Sequence, residues 1–228
     1  MSRQLPHCDS KILSTRQPVL STRQKFFWGK TNRQVVDIFR CPLDNFERLT
    51  ERAQTRNRQT QTTESDPPFR FWIKDEKWSL VQLADQTFGW LPNKYIVKLK
   101  SCNYWKNIKF APKNRLTPLP LIDQSKIENF LHQYEKTPYL WGGTTSAEMD
   151  CSAFVQKLVF ELGGILLPRN SREQKKYGRA VESTSSTVRK SKKCPLDILF
   201  FVHSTTGRHH VGVYWYDAVV HFCLDKHG

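Results

Sequence analysis

The sequence has no long apolar run, and this absence excludes a protein that crosses membranes with helices. No stretch of the 228 residues approaches the ~18–20 consecutive apolar residues of a membrane span. The basic N-terminus also has no apolar segment of ~7–15 residues, which a secretory signal requires. We therefore expect a cytoplasmic protein, or an envelope or secreted protein if a leader precedes this start.

Closely spaced cysteine pairs are also missing. The six cysteines (8, 41, 102, 151, 194 and 223) show no CxxC spacing. This excludes a zinc ribbon or zinc finger and argues against a dense disulfide framework. We expect no metal and no organic cofactor.

Acidic residues are scarce: 21 Asp and Glu stand against 36 Lys and Arg, for a net charge of +15. Residues 1–122 account for +12 of this charge and residues 123–228 for +3. Such a field favours polyanionic partners. No zinc-finger spacing, recognition-helix pattern or aromatic RNA-binding run accompanies the charge, so we expect no specific nucleic acid and a surface that is simply solvated.

The apolar content of 38% and the aromatic content of 12% are enough for one large or two small folded domains. Residues 1–33 are polar and basic and predict a flexible tail. Residues 34–100 contain short β-rich runs and predict a small all-β domain, with a long polar loop over residues 53–68. Residues 101–122 carry three prolines and predict a linker.

From residue 123 the pattern changes to helices followed by strands, which predicts an α+β domain over residues 123–228. Asp123 or Ser125 caps the first predicted helix. Asp150 caps a second, whose apolar residues recur at helical spacing until Gly163-Gly164. Three strands are predicted over residues 197–202, 210–215 and 218–223.

Cys151 is the candidate nucleophile of this domain. It stands at the first turn of the second helix, where unpaired N–H groups and the helix dipole favour a thiolate. We therefore expect the pKa of Cys151 to be depressed. A thiolate nucleophile needs a base within reach, and the predicted strands carry histidines.

Two histidines meet if the last two strands form a hairpin with its turn at Tyr216-Asp217. Opposed residues then pair 215 with 218 and 212 with 221, so His210 and His221 become diagonal neighbours on one face. Gly212 leaves room between them. This arrangement follows the logic of a Cys–His–X triad.

Simpler alternatives exist for these residues. A cysteine in an apolar helix is commonly a small core residue, and a strand histidine is commonly structural. Zinc held by His210, His221 and Cys223 is also conceivable, although Cys223 would directly oppose His210 and no short-spaced ligand pair lies elsewhere.

Several motifs, in this order and spacing, resemble the NlpC family of cell-wall cysteine peptidases, which are papain-like α+β domains. The resemblance covers roughly residues 124–223 and rests on Pro138-Tyr139-Leu140-Trp141-Gly142-Gly143, Asp150-Cys151-Ser152-Ala153-Phe154-Val155, Leu167-Pro168-Arg169-Asn170-Ser171, Asp197-Ile198-Leu199-Phe200-Phe201 and His210-Val211-Gly212-Val213-Tyr214.

The resemblance implies hydrolysis of peptidoglycan stem peptides, commonly at the bond between γ-D-glutamate and the next diamino acid. It implies Cys151 as nucleophile, His210 as general base and His221 as the residue that orients the base. The partners would be stem peptides or muropeptides. The remaining site residues, expected to bind substrate, are Tyr139, Trp141, Asp150, Ser152, Asn170 and Ser171.

Residues 34–100 resemble bacterial Src-homology-3-like barrels, mainly through Trp78, Gly89 and Trp90. Two features depart from the peptidase family. Leu196 occupies a usual glycine position and would be strained if φ is positive there. Only seven residues follow His221, which suggests a C-terminally truncated domain with an unprotected sheet edge.

Three functions follow as hypotheses. The first is a cysteine peptidase acting on peptidoglycan peptides, in cytoplasmic recycling of wall fragments. The second is a catalytically inactive protein that binds wall peptides. The third is a polyanion-binding protein that uses the basic N-terminal half. The sequence leaves the oligomeric state open.

Overall fold

The computed structural model describes residues 25–43, 54, 57–110, 123–178, 194–202 and 207–223. The chain divides into two compact units. The described residues of the first unit form seven strands, and those of the second form three α-helices and three strands; each unit also has one short 3₁₀ helix in the described ranges. No helix in the described ranges is long and apolar enough to cross a membrane. The five cysteines within them are thiols.

The first unit is one antiparallel sheet with the strand order β3-β2-β6-β5-β4-β1-β7. Residues on one face, including Phe69, Phe71, Val81 and Leu91, form its core, because side chains alternate between the two faces of a strand. The strands are β1 (Phe27–Thr31), β2 (Val35–Phe39), β3 (Arg58–Thr63), β4 (Phe69–Ile73), β5 (Trp78–Gln82), β6 (Phe88–Pro92) and β7 (Ile96–Leu99).

Three predictions for this unit need correction. The predicted flexible tail over residues 1–33 is wrong at its C-terminal end, because Phe27–Thr31 forms strand β1 and pairs with β4 and β7. The predicted loop over residues 53–68 is wrong for Arg58–Thr63, which pairs with β2. The sheet has β3 and β7 as its two edges, so the described strands do not close into the expected barrel. Residues 1–24 of the predicted tail and 111–122 of the predicted linker lie outside the described residues.

Strand β3 escaped prediction because its side chains are polar, Arg-Gln-Thr-Gln-Thr-Thr. Its burial depends on a partner in β2 that is distant in sequence. Nε of Arg58 lies 2.7 Å from Oδ1 of Asp37, and the Gln61 amide donates to the same oxygen at 3.1 Å. Buried polar groups of this kind are tolerated when they are paired. No local pattern indicates such a pairing.

The second unit packs helices on a three-stranded antiparallel sheet of order β10-β9-β8. This mixed composition agrees with the predicted α+β class. Its core joins Phe130 and Tyr134 of the first helix, Phe154 and Leu158 of the second, and Val211 of the sheet. The elements are α1 (Gln124–Tyr134), α2 (Cys151–Gly163), α3 (Ser171–Gln174), β8 (Ile198–Val202), β9 (His209–Trp215) and β10 (Ala218–Val220).

The helix boundaries follow the predicted caps. The Asp123 carboxylate accepts from the Ser125 N–H at 3.0 Å. Helix α2 ends at the predicted glycine pair. Gly164 adopts a left-handed conformation with a φ of 65° and donates its N–H to the Phe160 carbonyl, as is typical of a glycine after the last turn of a helix.

Leu196 lies in the turn that leads into β8 and has a φ of 72°. The strain predicted for this leucine is confirmed. The turn closes through the Asp197 N–H, which donates to the Cys194 carbonyl at 3.0 Å. The leucine side chain packs partly buried against the core, and this contact offsets part of the backbone cost.

Substitutions at Leu196 should separate the cost of its positive φ from the gain of its side-chain packing. Leu196→Ala removes the packing and keeps the backbone cost, whereas Leu196→Gly removes both. We expect the Gly variant to be more stable than the Ala variant by about 1 kcal/mol, measured by urea unfolding. Equal stability of the two variants, or a more stable Ala variant, would show that the positive φ carries no cost.

Candidate active site

Cys151 begins helix α2, and Asp150 is its N-cap. The Asp150 carboxylate accepts from the Ala153 N–H at 2.8 Å, so the predicted cap is confirmed. The cysteine is 6% exposed. It belongs to the core cluster that also contains Val211 of β9. The helix therefore directs its first residue toward the strand that carries His210.

The environment of the thiol differs from the prediction. The pKa of Cys151 is raised to about 11, first by burial and then by the nearby Asp150 carboxylate. Hydrogen bonding from the Val211 backbone, the charge of Arg169 and the Ser152 backbone act in the opposite direction with less effect. The expected depressed pKa of Cys151 is therefore wrong. Desolvation of the thiolate outweighs the favourable helix terminus.

The contact with Val211 fixes where the thiol lies. The Val211 amide hydrogen-bonds to the cysteine sulfur, and Val211 directly follows His210 in β9. The sulfur therefore lies beside the peptide group that links His210 to Val211.

A buried ion pair supports the start of α2. Arg169 and Asp150 form a bidentate pair, with Nη1–Oδ1 at 2.9 Å and Nη2–Oδ2 at 2.7 Å. The arginine is 2% exposed. Burial alone would lower the pKa of Arg169, but the Asp150 carboxylate beside it raises that pKa above its usual value. Arg169 therefore stays charged inside the protein.

The ion pair is fully hydrogen-bonded, as a buried pair must be. Asp150 also accepts from the Ser152 hydroxyl at 3.0 Å and from the Gly142 N–H at 2.9 Å. Arg169 donates to the Ser152 hydroxyl at 2.8 Å and to the Gly143 carbonyl at 3.2 Å. The cluster thus fixes the Gly142-Gly143 turn to the first turn of α2.

Sequence reasoning assigned no role to Arg169, although the residue stands in one of the quoted motifs. An arginine between Pro168 and Asn170 gives no local sign of burial. Arginine is almost never fully buried unless it is paired, and its partner lies 19 positions earlier. Only the folded chain brings the two together.

The hairpin that carries the two histidines has the predicted register. Trp215 pairs with Ala218, Tyr214 with Val219 and Val213 with Val220. Tyr216 and Asp217 both have positive φ, 42° and 62°, which is the backbone of a type I′ hairpin turn. The turn therefore forms without the Asn-Gly or Asp-Gly sequence that usually signals it.

His210 and His221 are neighbours, as the register predicts. Their ring centroids are 6.3 Å apart and their planes are inclined by 74°. The Nδ1 atoms of both rings are buried. The structure therefore brings the predicted base and its predicted orienting residue to one place on the sheet.

Gly212 lies between the two histidines, and its missing side chain is required there. A Cβ at this position would lie 2.9 Å from Cβ of His221, from Cγ1 of Val219 and from the Val220 carbonyl oxygen. All three atoms belong to the strand β10 and the residue that follows it. A larger residue at 212 would push this segment away from β9.

Gly212→Ala is therefore expected to cost about 1–3 kcal/mol, as overpacked sites commonly do, and to displace His221. Urea unfolding measures the cost. The double variant Gly212→Ala/Val219→Ala removes one of the three close contacts and should recover part of the loss. A single variant as stable as wild type would contradict the contact geometry.

Tyr139 is half-buried and lies near the nucleophile. Burial raises its pKa, and the proximity of Cys151 and Asp150 adds to the shift. The phenol therefore stays protonated and can donate a hydrogen bond. Trp141, two residues later, is 42% exposed.

The remaining predicted substrate residues fall into two groups. Asp150 and Ser152 are buried, each 6% exposed, with their side chains in the ion-pair cluster. Asn170 is exposed and is the N-cap of α3, without a side-chain capping bond, and Ser171 is the first residue of that helix. Their roles toward substrate stay predictions.

A cavity of about 810 Å³ reaches two of these residues, Tyr139 and His221. Its other lining residues come from α1 and its C-terminal end, from Phe154 and from the β9–β10 segment: Glu128, Asn129, Leu131, His132, Tyr134, Glu135, Thr137, Trp215, Val220, Phe222 and Cys223. In the described ranges, no three His, Cys, Asp or Glu side chains are grouped so that they could hold a metal ion.

Comparison with known proteins finds similarity to one family over part of the chain. Residues 136–221 match the NlpC/P60 family. This range includes Tyr139, Cys151, Arg169, His210 and His221.

Three curated relatives are each 35% identical to the chain over their matched regions. One is a "Probable endopeptidase" of Haemophilus influenzae, matched over 42% of this chain and 55% of the relative. Another is "Murein DD-endopeptidase MepS/Murein LD-carboxypeptidase" of Escherichia coli, over 40% and 44%. The third is "Gamma-D-glutamyl-L-lysine dipeptidyl-peptidase" of Bacillus subtilis, over 34% and 24%. The chain spans about half the length, or less, of these relatives.

Proposed function

We propose that this chain, whose residues 136–221 match the NlpC/P60 family, is a cysteine peptidase that hydrolyses peptidoglycan stem peptides. The observation that carries the proposal is the position of the Cys151 thiol. It starts a helix and hydrogen-bonds to the amide beside His210, while His210 itself adjoins His221. The relatives named as endopeptidases and as a γ-D-glutamyl dipeptidyl-peptidase support the reaction class.

In the proposed reaction, the Cys151 sulfur attacks the carbonyl carbon of the γ-D-glutamyl–diamino acid bond. Because the raised pKa keeps the thiol protonated, its proton passes to His210 as the carbon–sulfur bond forms. His210 then gives the proton to the leaving amine, and the carbon–nitrogen bond breaks. Water hydrolyses the resulting thioester and restores the thiol.

Other residues have supporting roles in this proposal. His221 orients the His210 ring. The Cys151 backbone N–H donates to the oxyanion of the intermediate, and the protonated Tyr139 phenol lies close enough to assist or to line the cleft. We assign Asp150 and Ser152 to the support of α2, because their polar atoms are engaged with Arg169.

Product analysis tests the proposal. The purified protein would be incubated with the tripeptide L-Ala-γ-D-Glu-diaminopimelate and, separately, with intact peptidoglycan. Liquid chromatography with mass spectrometry would follow the products, with Cys151→Ala as the control. Release of L-Ala-D-Glu by wild type alone supports the peptidase. Cleavage of the tripeptide favours recycling of fragments, and cleavage of the polymer favours wall remodelling.

The buried, protonated thiol also favours a second candidate, a wall-peptide-binding protein without catalysis. In that case, a folded wild-type protein releases no product from either substrate. It nevertheless binds the tripeptide in calorimetry, and Cys151→Ala binds it equally well.

A further inference from the structure

The aromatic residue Phe201 stands directly opposite His210. The two residues pair across the antiparallel strands β8 and β9. Their rings are stacked, with centroids 5.7 Å apart and an inclination of 15°. Side chains of directly opposed residues are the closest neighbours in a sheet. The orientation of His210 is therefore coupled to Phe201.

The same ring also contacts the second histidine. Phe201 and His221 meet edge-to-face, with centroids 5.3 Å apart and an inclination of 87°. Since His210 and His221 are themselves neighbours, the three rings form a mutually contacting group. The Phe201 ring of β8 thus contacts both His210 of β9 and His221, which follows β10.

Phe201 is distinct from its neighbour Phe200. Because side chains alternate along a strand, the two phenylalanines point to opposite faces of the sheet. Phe200 packs against the core cluster under the helices, whereas Phe201 packs on the histidines.

We propose that Phe201 is a positioning residue that sets the ring orientation of His210 and His221. The inference rests on the proposed function, in which His210 accepts the proton of Cys151. The stack restricts rotation of the His210 ring and so limits the directions in which its nitrogens point. It also places an aromatic face beside the imidazolium that forms when the proton is transferred, an arrangement that favours a cation.

Kinetics of three variants test the proposal on the tripeptide. Phe201→Leu keeps an apolar residue and removes the ring, and we expect kcat to fall about 10-fold or more while KM stays within about 2-fold. Phe201→Tyr keeps the ring and should retain kcat within about 3-fold. Phe200→Leu is the matched control and should lower stability without this fall in kcat.

A measurement without turnover separates this inference from the proposed function. In the Cys151→Ala background, NMR resonances of the His210 and His221 ring protons report their distance from the Phe201 ring. Phe201→Leu should shift both sets, with the His210 signals moving downfield as the stacked ring is lost. Phe200→Leu should leave them in place.

Three outcomes overturn the positioning role. They are unchanged histidine resonances in Phe201→Leu, a kcat that Phe201→Leu does not lower, and a loss that Phe201→Tyr does not rescue. Absence of turnover in wild type would count against the peptidase, whereas the NMR comparison would still decide whether Phe201 orients the histidines.

Discussion

Replacement of Cys151 by alanine is expected to lower kcat/KM for the tripeptide by at least about 10⁴-fold, the scale seen when a catalytic nucleophile is removed. In the proposed reaction the Cys151 thiol forms the thioester. The change from CH₂SH to CH₃ removes one sulfur atom from the core, so the protein should stay folded. Product release measured by mass spectrometry gives the rate, and circular dichroism reports the fold.

The matched control for this prediction is Cys194→Ala, which removes an exposed thiol from the turn before β8. We expect it to retain activity within about 2-fold. Equal activity of Cys151→Ala and wild type would exclude covalent catalysis by this residue.

The raised pKa of the nucleophile gives a further test on the same protein. With a pKa of about 11 for Cys151, its thiolate fraction rises tenfold for each pH unit from pH 7 to about pH 10. Alkylation by iodoacetamide should therefore accelerate over that range, and at pH 7 Cys151 should react more slowly than the exposed Cys194. Mass spectrometry of the labelled peptides measures both rates. Fast alkylation of Cys151 at pH 6 would show a preformed thiolate instead.

Loss of Arg169 is expected to be the most destabilising change outside the apolar core. Arg169→Met keeps an unbranched side chain of similar length and removes the charge. The Asp150 carboxylate would then stay buried without its ion-pair partner, and breaking one side of such a pair commonly costs about 3–5 kcal/mol. Urea unfolding measures the free energy of unfolding.

Two further variants make this prediction specific. Arg172→Met removes an exposed arginine three positions later and should change stability by no more than about 0.5 kcal/mol. The double variant Asp150→Asn/Arg169→Met removes both charges and keeps an N-cap side chain. It should be more stable than Arg169→Met alone. If Arg169→Met lowers the free energy of unfolding by less than about 1 kcal/mol, the Asp150–Arg169 pair contributes little to stability.

The candidate site was predictable where its signals are local. Three patterns depend only on residues that are close together in the sequence. They are the helix cap at Asp150, the helical spacing after Cys151 and the period-two alternation of the last two strands. They correctly gave the start of α2, the hairpin register and the proximity of His210 to His221. The order of the motifs then indicated the family to which residues 136–221 match.

The parts that were missed depend on partners that are distant in sequence. Strand β3 is polar and acquires a buried arginine only through Asp37. Strand β1 forms an inner strand of its sheet because β4 and β7 take both of its sides. Helix N-terminal position predicted a lowered pKa for Cys151, but that pattern carries no information on how deeply the folded chain buries the thiol.

Helices α1 and α2, strands β8 to β10, the proximity of the two histidines and the need for a small residue at position 212 could thus be predicted from the sequence, because caps, turns and periodicity act over short separations. The raised pKa of Cys151, the burial of the Asp150–Arg169 pair and the stacking of Phe201 on His210 become visible only in the folded chain. Desolvation and long-range pairing depend on which segments pack together in the folded chain, and local sequence patterns do not show this.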